Sequence, residues 1–363
     1  MASKLYRMLS LAASAAGLIA YSRYRREIAV LRKSVENGSR IAETAAGDIE
    51  YAEVGHGQPM LAIHGAGGGY DQGLLIGADI GDGYRVIAPS RFGYLKTPVP
   101  EDSSPAAQAD AHAALLDFLA IQQAIVVGTS AGAPSALELA LRHPERVSSL
   151  ILLVPRTYHP TQAIGADESV PSQAVLQLIE ASADFFFWLG MRISRGSVVR
   201  FFGVPPQVDA NASPEERARV SKLMRSVLPL SGRVRGIAVD GQTEMKPWPL
   251  ERIAVPTLVV SADDDLYKTL PGARFTAEHI PGAKLHVLPS GGHLMVGRTA
   301  EVKELVRSFL KKCRPTPKVP KQSKARQLSA VAWPVRHSPA KQRTGPSLFQ
   351  GSAHLGGQSG KHS

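Results

Sequence analysis

The chain has 363 residues, a hydrophobic fraction of 44% and one cysteine, so it can bury a full core but cannot form an intrachain disulfide. Its net charge of +11 sits at the two ends: residues 311–363 carry eleven Lys and Arg and no Asp or Glu, and residues 1–34 carry seven against one Glu. The segment between them is net acidic, which argues against a nucleic-acid-binding domain.

The N-terminal segment, residues 1–38, places Lys4 and Arg7 before an apolar run from Met8 to Tyr21, with Arg23, Arg25 and Arg26 after it. This run falls short of the roughly twenty residues that span a bilayer, and arginines directly behind it argue against export. Three readings stay open: a helix on a membrane surface, a cleaved leader, or an N-terminal helix with no membrane role. The expected location is cytoplasmic, with membrane association or export left open.

Arg40–Ala45 and Ile49–Val54 predict an opening hairpin around Ala46-Gly47-Asp48. Met60–Ile63 reads as a buried strand that opens into His64-Gly65-Ala66-Gly67-Gly68-Gly69-Tyr70, a loop whose N–H groups can point at a developing negative charge. A phosphate loop would need a Gly-Lys-Ser/Thr ending, which is absent. Val86–Ala88 follows as a strand, and Ala106–Leu119 predicts a helix from the spacing of Ala111, Ala114, Leu115 and Phe118.

The strand Ala124–Val127 then runs into Gly128-Thr129-Ser130-Ala131-Gly132 and an Ala/Leu-rich helix. Strand, G-x-S-x-G and helix together describe a nucleophile elbow, which pushes the serine Oγ out above the sheet. Glycines are needed on either side because a β-carbon there would strike the strand or the helix. After Val147–Val154 the strand–helix alternation stops, and residues 155–250 predict a mainly helical insert with helices near Gln173–Gly190 and Pro214–Leu228. Its aromatic stretches Phe185-Phe186-Phe187-Trp188 and Phe201-Phe202 read as insert core, with some lining a pocket.

Alternation resumes with the strand Val255–Ser261, which ends in Ala262-Asp263-Asp264-Asp265, and the strand Lys284–Leu288, which precedes Gly291-Gly292-His293. An acid at one strand end and a histidine after the next are what a Ser-His-Asp relay needs. His112, His143, His159 and His279 read as surface or partly buried residues. The tail, residues 311–363, is rich in Pro, Lys, Arg, Ser and Gly and predicts disorder, with Cys313 at its start.

These three motifs, in the order serine, acid, histidine, resemble the α/β-hydrolases with a cap domain, on the esterase and C–C hydrolase side of that superfamily. The resemblance covers about Ile41 to Leu310. It implies a mostly parallel eight-stranded sheet in two parts, residues 39–154 and 251–310, with the helical cap at 155–250. In that family the acid lies three residues past a strand-end glycine; Ala262 stands at the glycine position, so the resemblance implies Asp265, with Asp263 and Asp264 as solvated neighbours. The expected roles are Ser130 as nucleophile, His293 as base, Asp265 as its orienting acid, and the N–H groups of Ala66 and Ala131 as the oxyanion hole, with Gly67 in reserve.

The expected activity is serine hydrolysis of an ester or related acyl bond in a small to medium, largely apolar molecule. A runner-up is cleavage of a C–C bond in a vinylogous diketone acid, which needs a cap cation over the substrate carboxylate; Arg192, Arg195, Arg233 and Arg235 are candidates. A binding protein without catalysis, tethered to a membrane, is the reading from another class. No metal or cofactor is implied, because no His and carboxylate cluster has ligand spacing. The oligomeric state is left open, and residues 39–310 are expected to fold and act without the two ends.

Overall fold

The computed structural model describes residues 2–160 and 184–313. Helix α1 (Ala2–Asn37) precedes a single sheet of β1 (Arg40–Thr44), β2 (Gly47–Val54), β3 (Gln58–Ile63), β4 (Tyr84–Pro89), β5 (Ala124–Thr129), β6 (Val147–Leu153), β7 (Thr257–Ala262) and β8 (Lys284–Leu288). The strand order is β1-β2-β4-β3-β5-β6-β7-β8. β1 and β2 pair antiparallel, as do β2 and β4, and every later pair is parallel. This is the mostly parallel eight-stranded sheet that the motifs implied.

Helices α2 (Tyr70–Ile80), α3 (Pro105–Phe118) and α4 (Ala133–Arg142) lie among the first strands. The insert holds α5 (residues 184–193 described), α6 (Arg195–Phe201), α7 (Pro206–Ala210), α8 (Pro214–Arg225) and α9 (Val234–Gln242), and α10 (Leu270–His279) and α11 (Thr299–Cys313) complete the chain order. Strand side chains alternate between two cores, as the two-residue period of a strand requires. Leu61, Ile63, Val126 and Leu152 pack with α3, α4 and α10, whereas Met60, Ala62, Val127 and Leu153 pack with α2 and α11. Burial on both faces explains why these strands read as continuous apolar runs.

Part of the helix expected near Gln173–Gly190 falls outside the described residues, as does the tail beyond residue 313. Cys313, expected to open that tail, instead closes α11 and packs against the second core. His112, read as a surface or partly buried residue, is fully buried on α3, with its Nε2 3.3 Å from the Ser135 hydroxyl on α4. Burial, followed by the Arg91 charge, pushes it down to about 3, so it stays neutral.

Helix α1 packs against the insert and the sheet. Tyr24 and Ile28 share an apolar cluster with Trp188 of α5 and Leu228, and Trp188 is only 2% exposed. Polar contacts reinforce this docking: Arg32 pairs with Asp184 at 3.0 Å, and Glu27 accepts from Trp188 Nε1 at 3.0 Å and from Arg192 at 2.6 Å. Farther along, Val35 packs beside Tyr70, whose hydroxyl donates to the Val35 carbonyl at 2.7 Å. Without α1 the insert would expose Trp188 and Asp184 would lose its Arg32 pair, a cost that a fragment of residues 39–310 would have to bear to fold as expected.

Candidate active site

The elbow is built as its sequence demands. A β-carbon on Gly128 would lie 2.6 Å from Ala136 Cβ in α4, and one on Gly132 would lie 2.6 Å from the His64 carbonyl at the end of β3. These are close approaches of helix and strand to the turn that only glycine permits. Ser130 adopts φ 50°, a left-handed conformation that non-glycine residues seldom take. Its main-chain carbonyl accepts from the Arg156 N–H at 3.0 Å, which pins the turn to the chain leaving β6.

The Ser130 Oγ lies 2.8 Å from His293 Nε2, and His293 Nδ1 lies 2.8 Å from Asp265 Oδ2. Asp265 also accepts from the Thr269 hydroxyl at 2.5 Å and from the Tyr267 N–H at 2.9 Å. Burial pushes its carboxyl up, but the hydrogen bond and charge of His293 and the bonds from Thr269 and Tyr267 outweigh this and hold it below the ordinary carboxylate range. With Asp265 an anion, His293 Nδ1 carries the proton and Nε2 faces the serine as an acceptor.

Of the three adjacent aspartates, Asp263 is exposed, as expected. Asp264 is more than a solvated neighbour: it accepts from the N–H groups of Gly291 and Gly292, at 3.2 and 2.7 Å, and so ties down the loop that carries His293. The insert holds the same loop from the other side. The Gly203 carbonyl, between α6 and α7, accepts from the N–H groups of His293 and Leu266, both at 3.1 Å. Gly203 has φ +73°, and a β-carbon there would sit 2.7 Å from His293 Cβ. The sequence signal for this contact is slight, a lone glycine after Phe201-Phe202.

The loop after β3 passes directly over the serine, since a β-carbon on Gly65 would lie 3.1 Å from Ser130 Cβ. Among the described residues no partner takes the N–H of Ala66 or of Ala131, which stands at the N-terminal approach to α4. The Gly67 N–H donates to the Tyr94 hydroxyl at 3.2 Å, so the reserve donor is already engaged.

A buried network absent from the sequence reading fixes this loop. Arg91 grips Asp240 of α9 with two bonds of 2.5 and 2.8 Å, and Tyr94 donates to the same carboxylate at 2.5 Å. The Arg91 N–H donates to His64 Nε2 and its Nε to the His64 carbonyl, each at 3.0 Å. Burial, then the Arg91 charge, drives His64 far below the usual imidazole range, so it acts as a neutral acceptor. Asp240→Ala is expected to leave Arg91 buried without its counter-charge. That costs about 3–5 kcal/mol, and thermal unfolding should show a melting point lower by roughly 10 °C; an unchanged melting point would refute the assignment.

Three of the four cap arginines proposed from sequence are committed elsewhere. Arg192 pairs with Glu27, Arg195 with Asp209 and Arg233 with Asp71, while Arg235 is exposed. Of the insert aromatics, Trp188 is core as expected, whereas Phe186 and Phe201 are 65% and 66% exposed.

The chain is similar to known hydrolases. An uncharacterized hydrolase of Bacillus subtilis is 29% identical over 280 residues, covering 73% of this chain and 95% of that protein. A 2-hydroxymuconate semialdehyde hydrolase of Pseudomonas putida is 29% identical over 265 residues, covering 70% of this chain and 88% of that protein. Among solved structures, an alpha/beta hydrolase fold protein from Nakamurella multipartita superposes with a TM-score of 0.55 at 26% identity, over 75% of this chain and 99% of that one. A thermophilic esterase from Thermogutta terrifontis superposes with a TM-score of 0.57 at 23% identity, over 76% and 98%, a likeness of fold. The alpha/beta hydrolase fold model matches residues 58–297, a span that holds the elbow, the insert and the histidine loop; the chain belongs to that family and is a hydrolase.

Proposed function

We propose that the protein is a serine hydrolase that cleaves an ester or related acyl bond through Ser130, His293 and Asp265. The observation that carries this reading is the unbroken chain of 2.8 Å contacts from Ser130 Oγ through His293 to Asp265. Ser130 Oγ attacks the substrate carbonyl as its proton passes to His293 Nε2, and Asp265 stabilises the imidazolium that results. The N–H groups of Ala66 and Ala131 receive the oxyanion; they need not break an existing hydrogen bond to do so, and the α4 dipole adds to their pull. Protonated His293 then gives its proton to the leaving alkoxide. Water, activated by the same histidine, hydrolyses the acyl-enzyme and restores Ser130.

The substrate is a small to medium, largely apolar molecule, a reading supported by the helical insert whose Gly203 carbonyl holds the His293 loop. A fluorophosphonate probe tests the nucleophile. Wild type is expected to label stoichiometrically and Ser130→Ala not at all, whereas equal labelling of both would remove the serine from the mechanism.

A second reading, hydrolysis of a C–C bond in a vinylogous diketone acid, draws on the similarity to a 2-hydroxymuconate semialdehyde hydrolase. With Arg192, Arg195 and Arg233 engaged, the cation for the substrate carboxylate would be the exposed Arg235, or Arg156, whose N–H donates to the Ser130 carbonyl and whose side chain donates to the Asp240 carbonyl at 2.6 Å. Turnover of a dienoate that is lost selectively in Arg156→Leu or Arg235→Leu, with p-nitrophenyl ester turnover retained, would favour this reading over the first.

A further inference from the structure

We infer that the first half of α1 binds the surface of an anionic lipid bilayer while its second half straps the lid to the sheet. The helix has two apolar faces that serve different halves of its length. Ala20, Tyr24, Ile28, Leu31 and Val35 pack against the protein. Leu11, Ala15, Leu18 and Ile19 are exposed, with Leu11, Leu18 and Ile19 at 70%, 71% and 57%. Their spacing of i, i+4, i+7 and i+8 gathers them into one stripe, and at about 100° per residue that stripe lies roughly opposite the docked face. It therefore points away from the protein that the other face holds.

Charge selects the occupant of this stripe. Arg25 and Arg26, at i+14 and i+15 from Leu11, continue the stripe toward the body, and they and Arg23 are exposed. No acidic residue precedes Glu27 in the sequence. An apolar stripe bordered by cations matches the boundary between headgroups and acyl chains of a membrane containing anionic lipid, where a helix lies in the plane of the surface. Crossing is not the alternative, because among the described residues no helix is long and apolar enough to span a bilayer.

The inference does not depend on the acyl-bond reading of the active site, and its test uses the full chain. Wild-type protein is expected to co-sediment with vesicles of phosphatidylcholine and phosphatidylglycerol, less with pure phosphatidylcholine, and less again as salt rises. Three surface cations strengthen such binding on the order of a hundredfold. The triple variant Leu11→Glu, Leu18→Glu, Ile19→Glu should stay in the supernatant yet keep the wild-type melting temperature, since these side chains pack on nothing else among the described residues. Wild type that stays in the supernatant with both vesicle types would overturn the inference, as would a variant that pellets equally well. Light scattering without lipid separates the remaining occupant: a wild-type dimer that becomes a monomer in the triple variant would assign the stripe to a second copy of this chain and overturn binding to lipid.

Discussion

Ser130→Ala is expected to lower kcat for a short p-nitrophenyl ester by about 10⁴-fold or more, with little change in melting temperature. The loss is large because the hydroxyl is the only atom removed and it is the one placed 2.8 Å from His293 Nε2. The fold should tolerate the change, since alanine meets the same φ of 50° and the elbow depends on Gly128 and Gly132 rather than on the serine side chain. What remains should be the modest rate supported by the oxyanion donors and substrate binding alone. Retention of more than a tenth of the wild-type kcat in a fully folded variant would rule out Ser130 as the nucleophile.

Asp265→Asn should cost about 10⁴-fold in kcat, because an amide placed against His293 Nδ1 favours the wrong tautomer. The neighbouring substitution Asp264→Asn makes the comparison informative. Asp264 holds the N–H groups of Gly291 and Gly292 and touches no atom of the relay, so its loss should loosen the loop and reduce kcat far less. A dead Asp264 variant beside an active Asp265 variant would reverse the assignment. Acid unfolding offers a second readout. The Asp265 carboxyl is held below its ordinary range, so its charge stabilises the fold above that range, and this contribution is lost as pH falls through the lowered value. Asp265→Asn should remove that part of the acid dependence.

The parts of this site that the sequence displays are those whose determinants are local. Ser130 comes with its strand, glycines and helix in one stretch, and His293 follows a strand and two glycines. The strands themselves are readable because burial on both faces leaves uninterrupted apolar runs, as in Leu150–Leu153. Asp265 is harder, since three successive aspartates look alike until burial and partners separate them; a family spacing, not their chemistry, singled it out. The Arg91–Asp240 pair and the Trp188–Glu27 bond join residues 149 and 161 positions apart. Periodicity reports which face of an element is apolar but never what covers it. For the same reason the N-terminal segment reads only as an apolar run flanked by cations, while which half docks and which stays bare emerges only in three dimensions.

The spacing of the relay along the chain has a consequence for how the protein is born. Ser130 precedes His293 by 163 residues, so at ribosomal rates of about 5–20 residues per second the serine leaves the tunnel on the order of ten seconds before the histidine proposed as its base. During that interval β3, β4, β5 and β6 can already pair, yet the hydroxyl has no proton acceptor and remains an ordinary alcohol. On the proposed mechanism, hydrolytic power is therefore switched on only when β7, β8 and the loop behind them add to the sheet edge. A nascent chain stalled before β8 would carry a formed elbow but should be blind to a fluorophosphonate.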